Sequence, residues 1–225
     1  MRHSHPTAVP QSSAALELKG KAATACLVAK DAISNLLELF EESSRMAYLT
    51  VRDCERELDA LEREIDEKLP GAITRVGERK ARELIASLRF ITDLERIGDL
   101  VWWIAQRLNE NRPRFPKAEA EAVTSMASIL ISMMDDIYRG FSAGDASVAQ
   151  AVIGRDRDVD ALRQKVFTFE LASKNTRSTS ESVEILFIVQ ALERAGDHIT
   201  NLAEELIHLS EGRSVRHLVK KTSEG

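Results

Sequence analysis

The segment Leu94-Glu-Arg-Ile-Gly-Asp99 recurs 98 residues later as Leu192-Glu-Arg-Ala-Gly-Asp197, and this repeat is the strongest indication of the fold. Around each copy, apolar residues recur at spacings of three and four, which is the period of one face of an α-helix. The apolar positions are Leu84, Leu88, Ile91, Leu94, Val101, Ala105 and Leu108 around the first copy, and Ile185, Ile188, Leu192, Ala195, Ile199, Leu202, Leu206 and Leu209 around the second. Each copy therefore predicts a long amphipathic helix.

A second pair of matching segments lies upstream of the first pair. Glu55-Arg-Glu-Leu-Asp59-Ala-Leu61 returns as Asp156-Arg-Asp-Val-Asp160-Ala-Leu162, at an offset of 101 residues. Two repeated segments, in the same order and at nearly one offset, indicate an internal duplication of about 100 residues.

Proline and glycine predict where the helices begin and end. Pro6 and Pro10 indicate an unstructured leader, Pro70 a loop, and Pro113 with Pro116 a break at the middle of the chain. We predict helices at residues 14–43, 46–68, 78–110, 117–141, 146–174 and 178–211. Short connections make consecutive helices antiparallel neighbours, so the sequence predicts an all-α fold of two tandem three-helix bundles related by duplication. The predicted divisions are a leader at 1–13, bundles at 14–112 and 113–212, and a basic tail at 213–225.

Composition excludes several classes of protein. With 31 basic and 36 acidic residues the net charge is −5, so no overall positive field attracts nucleic acid, and we expect none as a partner. No apolar run reaches the roughly 18 residues that a membrane span needs, and the first residues lack the apolar region of a signal peptide. We therefore expect a cytoplasmic protein.

Pairs of carboxylates are the chemical signal in the repeats. Each of the four repeated segments carries two carboxylates four residues apart, on one face of its helix. Like charges at this spacing cost a few tenths of a kcal/mol, so nothing local favours them. If the second and third helices of each bundle pack antiparallel, four carboxylates converge into an oxygen cluster suited to cations such as Mg, Mn or Fe. The pairs are Glu55 with Asp59, Glu95 with Asp99, Asp156 with Asp160, and Glu193 with Asp197.

A structural interpretation competes with the metal hypothesis. Charged helices contain acidic pairs by chance, and we interpret Glu62 with Asp66 as such a solvated pair. The repetition favours the metal hypothesis, because both halves also keep a glycine, Gly98 or Gly196, which costs about 1 kcal/mol inside a helix. A close approach between helices would explain these glycines.

Together the motifs resemble those of the PhoU family of phosphate-uptake regulators. The resemblance rests on Leu94-Glu-Arg-Ile-Gly-Asp-Leu100 and on Leu192-Glu-Arg-Ala-Gly-Asp-His198-Ile-Thr-Asn201-Leu-Ala-Glu204, and it covers nearly the whole chain after about residue 14. It implies a regulator rather than an enzyme, with metal clusters, iron or zinc among the ions, bound by Glu/Asp-x-x-x-Asp motifs. The ligands it implies are Glu55, Asp59, Glu95 and Asp99 in the first half, and Asp156, Asp160, Glu193 and Asp197 in the second.

The resemblance also implies partners. Family members are negative regulators that link a high-affinity phosphate ABC transporter to its sensor histidine kinase. We therefore expect a transporter component and a kinase, or a sodium-phosphate carrier, as partners, and a homodimer that reaches the membrane only through them. The sequence departs from the family at Lys80, where an Asp is common, and at Leu100, which replaces the histidine of the second motif. These departures lead us to expect the better-preserved cluster in the second half.

Other residues keep alternatives open. Glu205-Leu-Ile-His208 has the spacing of di-iron bundles, so the alternative function is a carboxylate-bridged metal enzyme or a metal-storage bundle, although no second copy exists. His198 is interpreted either as a neighbour of the metal or as a residue between helices. Trp102 and Trp103 point about 100° apart, so we expect one of them near the surface, where it would mark a partner site.

Overall fold

Six α-helices make up the fold in the computed structural model, which describes residues 11–111, 113–172 and 178–211. A short 3-10 turn, Ala146–Val148, precedes the fifth helix, and no strand occurs in these ranges. The all-α prediction is therefore confirmed. The helices are α1 (Gln11–Glu42), α2 (Arg45–Ile73), α3 (Glu78–Asn111), α4 (Lys117–Ala143), α5 (Ala149–Ala172) and α6 (Thr179–Glu211).

The helix ends follow local chemistry. The Ser44 side chain caps α2 by accepting a hydrogen bond from the Ala47 backbone N–H, and Gly144 ends α4 in the left-handed conformation at φ 69°. The loop predicted at Pro70 is wrong, because α2 continues through Pro70 to Ile73. Pro70 and Asp66 are both exposed, so water can bond the Asp66 carbonyl that would otherwise accept the missing N–H.

Packing joins the two halves of the chain through their helices. Helices α1, α2 and α3 contact one another, and α4, α5 and α6 do the same. Across the halves α1 contacts α4 and α3 contacts α6, so the buried apolar residues form one continuous core. The ion pairs Arg89–Glu205 and Arg107–Glu184 show that α3 and α6 run antiparallel. The division into units at 14–112 and 113–212 stays a prediction.

Glycine allows the close helix approach that the sequence predicts. A Cβ atom on Gly98 would lie 2.5 Å from Cδ1 of the fully buried Leu58, so α2 and α3 meet through this glycine. On Gly196 a Cβ atom would lie 3.3 Å from Oδ1 of Asp156, which brings α5 against α6. Because it has no side chain, each glycine lets the two helices that carry the carboxylates of its half approach closely.

The Gly98→Ala substitution is expected to destabilise the fold by about 1–2 kcal/mol, because the cost of overpacking against Leu58 exceeds the gain in helix propensity. The matched control is Gly154→Ala in α5, where an added Cβ meets nothing within 4 Å. That substitution is expected to stabilise the protein by about 0.5–1 kcal/mol. Urea unfolding of both variants measures the difference, and equal gains in stability would contradict the close approach.

The chain ends lie outside the described residues. They include His3 and His5 of the leader and the basic residues Arg213, Arg216, Lys220 and Lys221. None of the helices within the described ranges carries an apolar run long enough to cross a lipid bilayer.

Candidate metal centres

The first carboxylate cluster lies where α2 and α3 approach each other. Glu55 and Asp59 come from α2 and Asp99 from α3, and one oxygen of each carboxylate lies within 4.8 Å of the other two. The pKa of Glu55 is raised by burial first, and then by the negative charges of Asp59 and Asp99. This trio is therefore a site of concentrated negative charge on two adjoining helices.

Glu95 lies beside the trio, one helical turn before Asp99. Its side chain is only 14% exposed, and its buried Oε2 atom has no hydrogen-bond partner, although the Arg96 guanidinium lies 3.5 Å away. Burial, then Asp99, then Glu62 raise the pKa of Glu95 to about 7. A buried carboxylate oxygen without a donor is costly unless it is protonated or a cation neutralises it.

The second cluster lies where α5 and α6 meet. Burial is the main cause that raises the pKa of Asp156 to about 6, followed by the charges of Asp197 and Asp160. Glu193 accepts a hydrogen bond from the Gln190 side-chain amide, and the Nε atom of Arg163 lies 3.5 Å from its Oε1 atom. Burial raises the pKa of Glu193, whereas Arg163 lowers it. The charges of these four carboxylates thus act on one another, with Arg163 beside Glu193, but no three of them bring their oxygens within 4.8 Å of one another.

Both donor sets fit a hard or borderline cation. All of the candidate ligands are carboxylate oxygens, which suit Mg, Mn and Fe, and which zinc also accepts. The Oε2 atom of Glu95 is buried without a hydrogen bond, and the cations nearest to the first cluster, Arg96 and Arg63, have mostly exposed side chains. Within the described ranges, the trio of Glu55, Asp59 and Asp99 is the one set of three ligand atoms within 4.8 Å of one another.

Both halves of the chain match one known protein family. The model of the PhoU domain matches the chain twice, at residues 24–108 and at residues 123–206. The chain belongs to the PhoU family. Each PhoU match contains one carboxylate cluster, so the duplication recognised from the repeats is the duplication of a PhoU domain.

PhoU proteins of known sequence resemble most of the chain. A phosphate-specific transport system accessory protein PhoU homolog 1 from Thermotoga maritima is 26% identical over 215 residues, covering 92% of each chain. A PhoU homolog from Pseudomonas putida is 30% identical over 201 residues, covering 85% of this chain and 77% of its own.

Two crystal structures of PhoU proteins share the fold. PhoU from Streptococcus pneumoniae superposes with a TM-score of 0.77 at 21% identity, covering 91% of this chain and 99% of its own. PhoU from Pseudomonas aeruginosa gives a TM-score of 0.72 at 25% identity, covering 90% of this chain and 96% of its own. These likenesses confirm the predicted PhoU-like fold.

His198 lies between the two PhoU domains. Its Nδ1 atom is 2.9 Å from Oδ1 of Asp93 on α3, and Asn201 donates a hydrogen bond to the same oxygen. His198 is thus a residue between helices, one of its two predicted interpretations. Leu100, its counterpart in the repeat, packs partly buried against the core. The compact trio forms in the first half without a histidine at that position, although the sequence led us to expect the better cluster in the second half.

Glu62 is the residue near the candidate sites that sequence reasoning missed. We interpreted it with Asp66 as a solvated pair, and Asp66 is indeed exposed. Glu62 is half-buried and close enough to Glu95 to raise the pKa of that carboxyl. The signal was present in the repeat, because the offset of 101 residues aligns Glu62 with Arg163, which lies beside Glu193.

The Glu-x-x-His segment of α6 does not form part of either cluster. Glu205 is buried and accepts two hydrogen bonds from the Arg89 guanidinium of α3. The Glu205 carboxylate, which a di-iron site of this kind would need as a ligand, is therefore paired with an arginine.

Stability of the metal-free protein is expected to fall as the pH rises from about 5 to 8. Glu95 and Asp156 have pKa values of about 7 and about 6 in the fold, above their ordinary values of 4.5 and 3.8, so the native state binds more protons than the unfolded chain in this window. Urea unfolding in the presence of a chelator measures this slope. Glu95→Gln is expected to flatten it, and stability that increases with pH in both proteins would contradict the arrangement.

Proposed function

We propose that this PhoU-family chain is a regulatory adaptor that restrains phosphate uptake and phosphate-starvation signalling. The observation that carries the proposal is the pair of PhoU matches, each of which contains a carboxylate cluster. Relatives that match most of the chain are phosphate-specific transport system accessory proteins by name. An adaptor of this kind acts by binding partners, so its effect on phosphate uptake needs no chemical step of its own.

Metal binding is the second part of the proposal. The first cluster would hold its ion through Glu55, Asp59 and Asp99, with Glu95 beside them, and the second through Asp156, Asp160, Glu193 and Asp197. When bound, iron or zinc supplies positive charge that offsets the repulsion among the carboxylates. Because each cluster spans two helices, the ligands then tie α2 to α3 and α5 to α6. The structure supports this proposal through the crowding of the carboxylates and the orphaned Glu95 oxygen.

An aromatic cleft between the two clusters supports partner binding. It has a volume of about 370 Å³, and Phe187 is 51% exposed at its edge. The Arg107 guanidinium lies 4.2 Å from the centre of the Trp103 ring, and aromatic residues with arginine are enriched in protein interfaces. The cleft is lined by Asp99, Leu100, Trp103, Phe187, Gln190, Ala191 and Arg194.

Phe187→Ala is expected to weaken the binding of the phosphate-transport partner by about tenfold or more, because exposed aromatic anchors dominate many interfaces. The control is Leu16→Ala, which removes another exposed apolar side chain from α1, away from the cleft. Affinity pull-down from membranes of the native host, quantified for each variant, measures the loss. Equal recovery of the partner with both variants would remove the cleft from the interface.

The partners we propose are a phosphate ABC transporter component and a sensor histidine kinase, or a sodium-phosphate carrier, bound by a homodimer on the cytoplasmic side. Deleting the gene in the native host is expected to switch on phosphate-starvation genes in phosphate-rich medium. Pull-down with the tagged protein is expected to recover one of these partners. An unchanged transcriptional response together with unchanged phosphate content would contradict the proposal.

The carboxylate trio also favours a second candidate, a carboxylate-bridged metal enzyme or a metal-storage bundle. Oxygen consumption by the iron-loaded protein distinguishes the two. The adaptor consumes no oxygen beyond the level of free iron, whereas the enzyme turns over repeatedly.

A further inference from the structure

Position 62 on α2 and position 163 on α5 are equivalent in the repeat but carry opposite charges. The matching segments end in Leu61 and Leu162, and the next residues are Glu62 and Arg163. Glu62 is half-buried on α2, about one helical turn after Asp59. The Nε atom of Arg163 lies 3.5 Å from Oε1 of Glu193. The two equivalent positions of the repeat therefore place opposite charges near the two clusters.

Arg163 is held in place beside its glutamate. Its side chain is 26% exposed, its guanidinium lies 5.5 Å from the centre of the Phe167 ring, and it donates a hydrogen bond to Gln190. Gln190 in turn donates to Glu193, so this carboxylate has both a cation and a hydrogen-bond donor from the protein itself. The low exposure reduces screening by solvent, so the guanidinium charge acts strongly on the cluster.

The cations near the first cluster are more exposed to solvent than Arg163 is. The Oε2 atom of Glu95 is buried without a hydrogen bond, and Glu62 adds a negative charge where the second cluster has a positive one. Arg96 lies 3.5 Å from Glu95 and Arg63 lies 3.9 Å from Asp59, but their side chains are 58% and 68% exposed, so solvent screens both charges. The first cluster thus has five carboxylates beside mainly exposed arginines, and the second has four beside a partly buried arginine.

We infer that Glu62 and Arg163 make the two metal sites unequal. Glu62 makes the first cluster a high-affinity site for divalent cations, and Arg163 places a positive charge at the second cluster that lowers its affinity for them. The inference rests on the proposed metal binding. Arg163 repels an incoming dication and already neutralises Glu193, which a dication would otherwise do. Glu62 attracts the dication through an additional negative charge. The protein then fills its sites in order, the first half before the second.

Exchange of the two charges tests the inference. Zinc is titrated into chelator-treated, full-length protein by isothermal calorimetry, and the metal retained after gel filtration is counted by mass spectrometry. The wild type is expected to show two classes of site that differ by about tenfold or more in affinity. Glu62→Arg is expected to weaken the tighter class, and Arg163→Glu is expected to strengthen the weaker class, each by about tenfold or more.

Matched controls reverse the same charges at exposed positions of the same helices. They are Glu67→Arg on α2 and Lys165→Glu on α5. Both are expected to leave each affinity within about threefold of the wild type, because solvent screens charges at exposed positions. Helical circular dichroism confirms that every variant is folded before the titration. To assign each class, Asp99→Asn removes a ligand from the first cluster and Asp197→Asn from the second, and the tighter class is expected to disappear only with Asp99→Asn.

The outcomes separate this inference from the proposed function. Zinc bound with two affinities that follow the charges at positions 62 and 163 supports both. Zinc bound with equal affinities, or affinities that the exchanges and the controls change alike, overturns the inference and leaves metal binding intact. A protein that binds zinc at neither cluster overturns the inference together with the metal part of the proposed function.

Discussion

Replacing Arg89 by methionine is expected to destabilise the protein by about 3–5 kcal/mol, the cost of leaving a buried charge without its partner. Arg89 makes two hydrogen bonds to Glu205, whose side chain is only 3% exposed, and this pair joins α3 of the first half to α6 of the second. Without the guanidinium, the Glu205 carboxylate must be neutralised by a proton or be reached by water, and either change disturbs the packing between the halves. Urea unfolding of the metal-free protein measures the loss.

Two further variants show whether burial of the charge is the cause. Arg107→Met removes the ion pair at the other end of the same helix contact, where Glu184 is more accessible at 17% exposure, and is expected to cost about 1 kcal/mol. The double variant Arg89→Met/Glu205→Met is expected to regain most of the stability, because it leaves no buried charge. A double variant less stable than Arg89→Met would mean that the pair itself, rather than the unpaired carboxylate, decides the stability of this contact.

Zinc is expected to raise the Tm of the wild type strongly, and a chelator to reverse the rise. A ligand that binds only the native state adds about 2.7 kcal/mol per site at one hundred times its dissociation constant. The triple variant Glu55→Gln/Asp59→Asn/Asp99→Asn removes the trio and is expected to lose most of this stabilisation. It is also expected to be more stable than the wild type without metal at pH 8, because the repulsion among the carboxylates is gone.

The control for the triple variant carries the same kinds of substitution at exposed positions. Asp53→Asn/Glu57→Gln/Glu110→Gln removes three negative charges from α2 and α3 outside the cluster. It is expected to keep the full response to zinc. Equal Tm shifts in the triple variant and its control would place the metal elsewhere.

The sequence alone predicted the helices and the carboxylate pairs because both depend on local spacing. The stripe around Leu192 fixes which face of α6 is buried, and the repeated glycines indicated the close helix approach that Gly98 makes against Leu58. The pairing of these helices within each half followed from short connections. The fold was therefore predictable from periodicity and duplication together.

The features that could not be predicted depend on which helices meet across the molecule. The contact of Arg89 with Glu205 joins residues 116 positions apart, and no periodic pattern specifies that partner. Pro70 stays within α2 because Pro70 and Asp66, one turn before it, are exposed, which a rule for proline alone does not reveal. Glu62 was missed because we considered it only as a member of one acidic pair among many. Alignment of the two halves shows that its equivalent in the second half is Arg163.

The most direct test measures a phosphate-starvation reporter in a deletion strain of the native host, grown in phosphate-rich medium and complemented with either the wild-type gene or the triple variant. Wild-type protein is expected to restore repression, and the triple variant, present at equal amounts, is expected to leave the reporter on. The exposed-charge control is expected to repress as the wild type does. A reporter that stays repressed in the deletion strain itself would contradict the regulatory role. Full repression by the triple variant would contradict the proposal that metal binding at Glu55, Asp59 and Asp99 serves it.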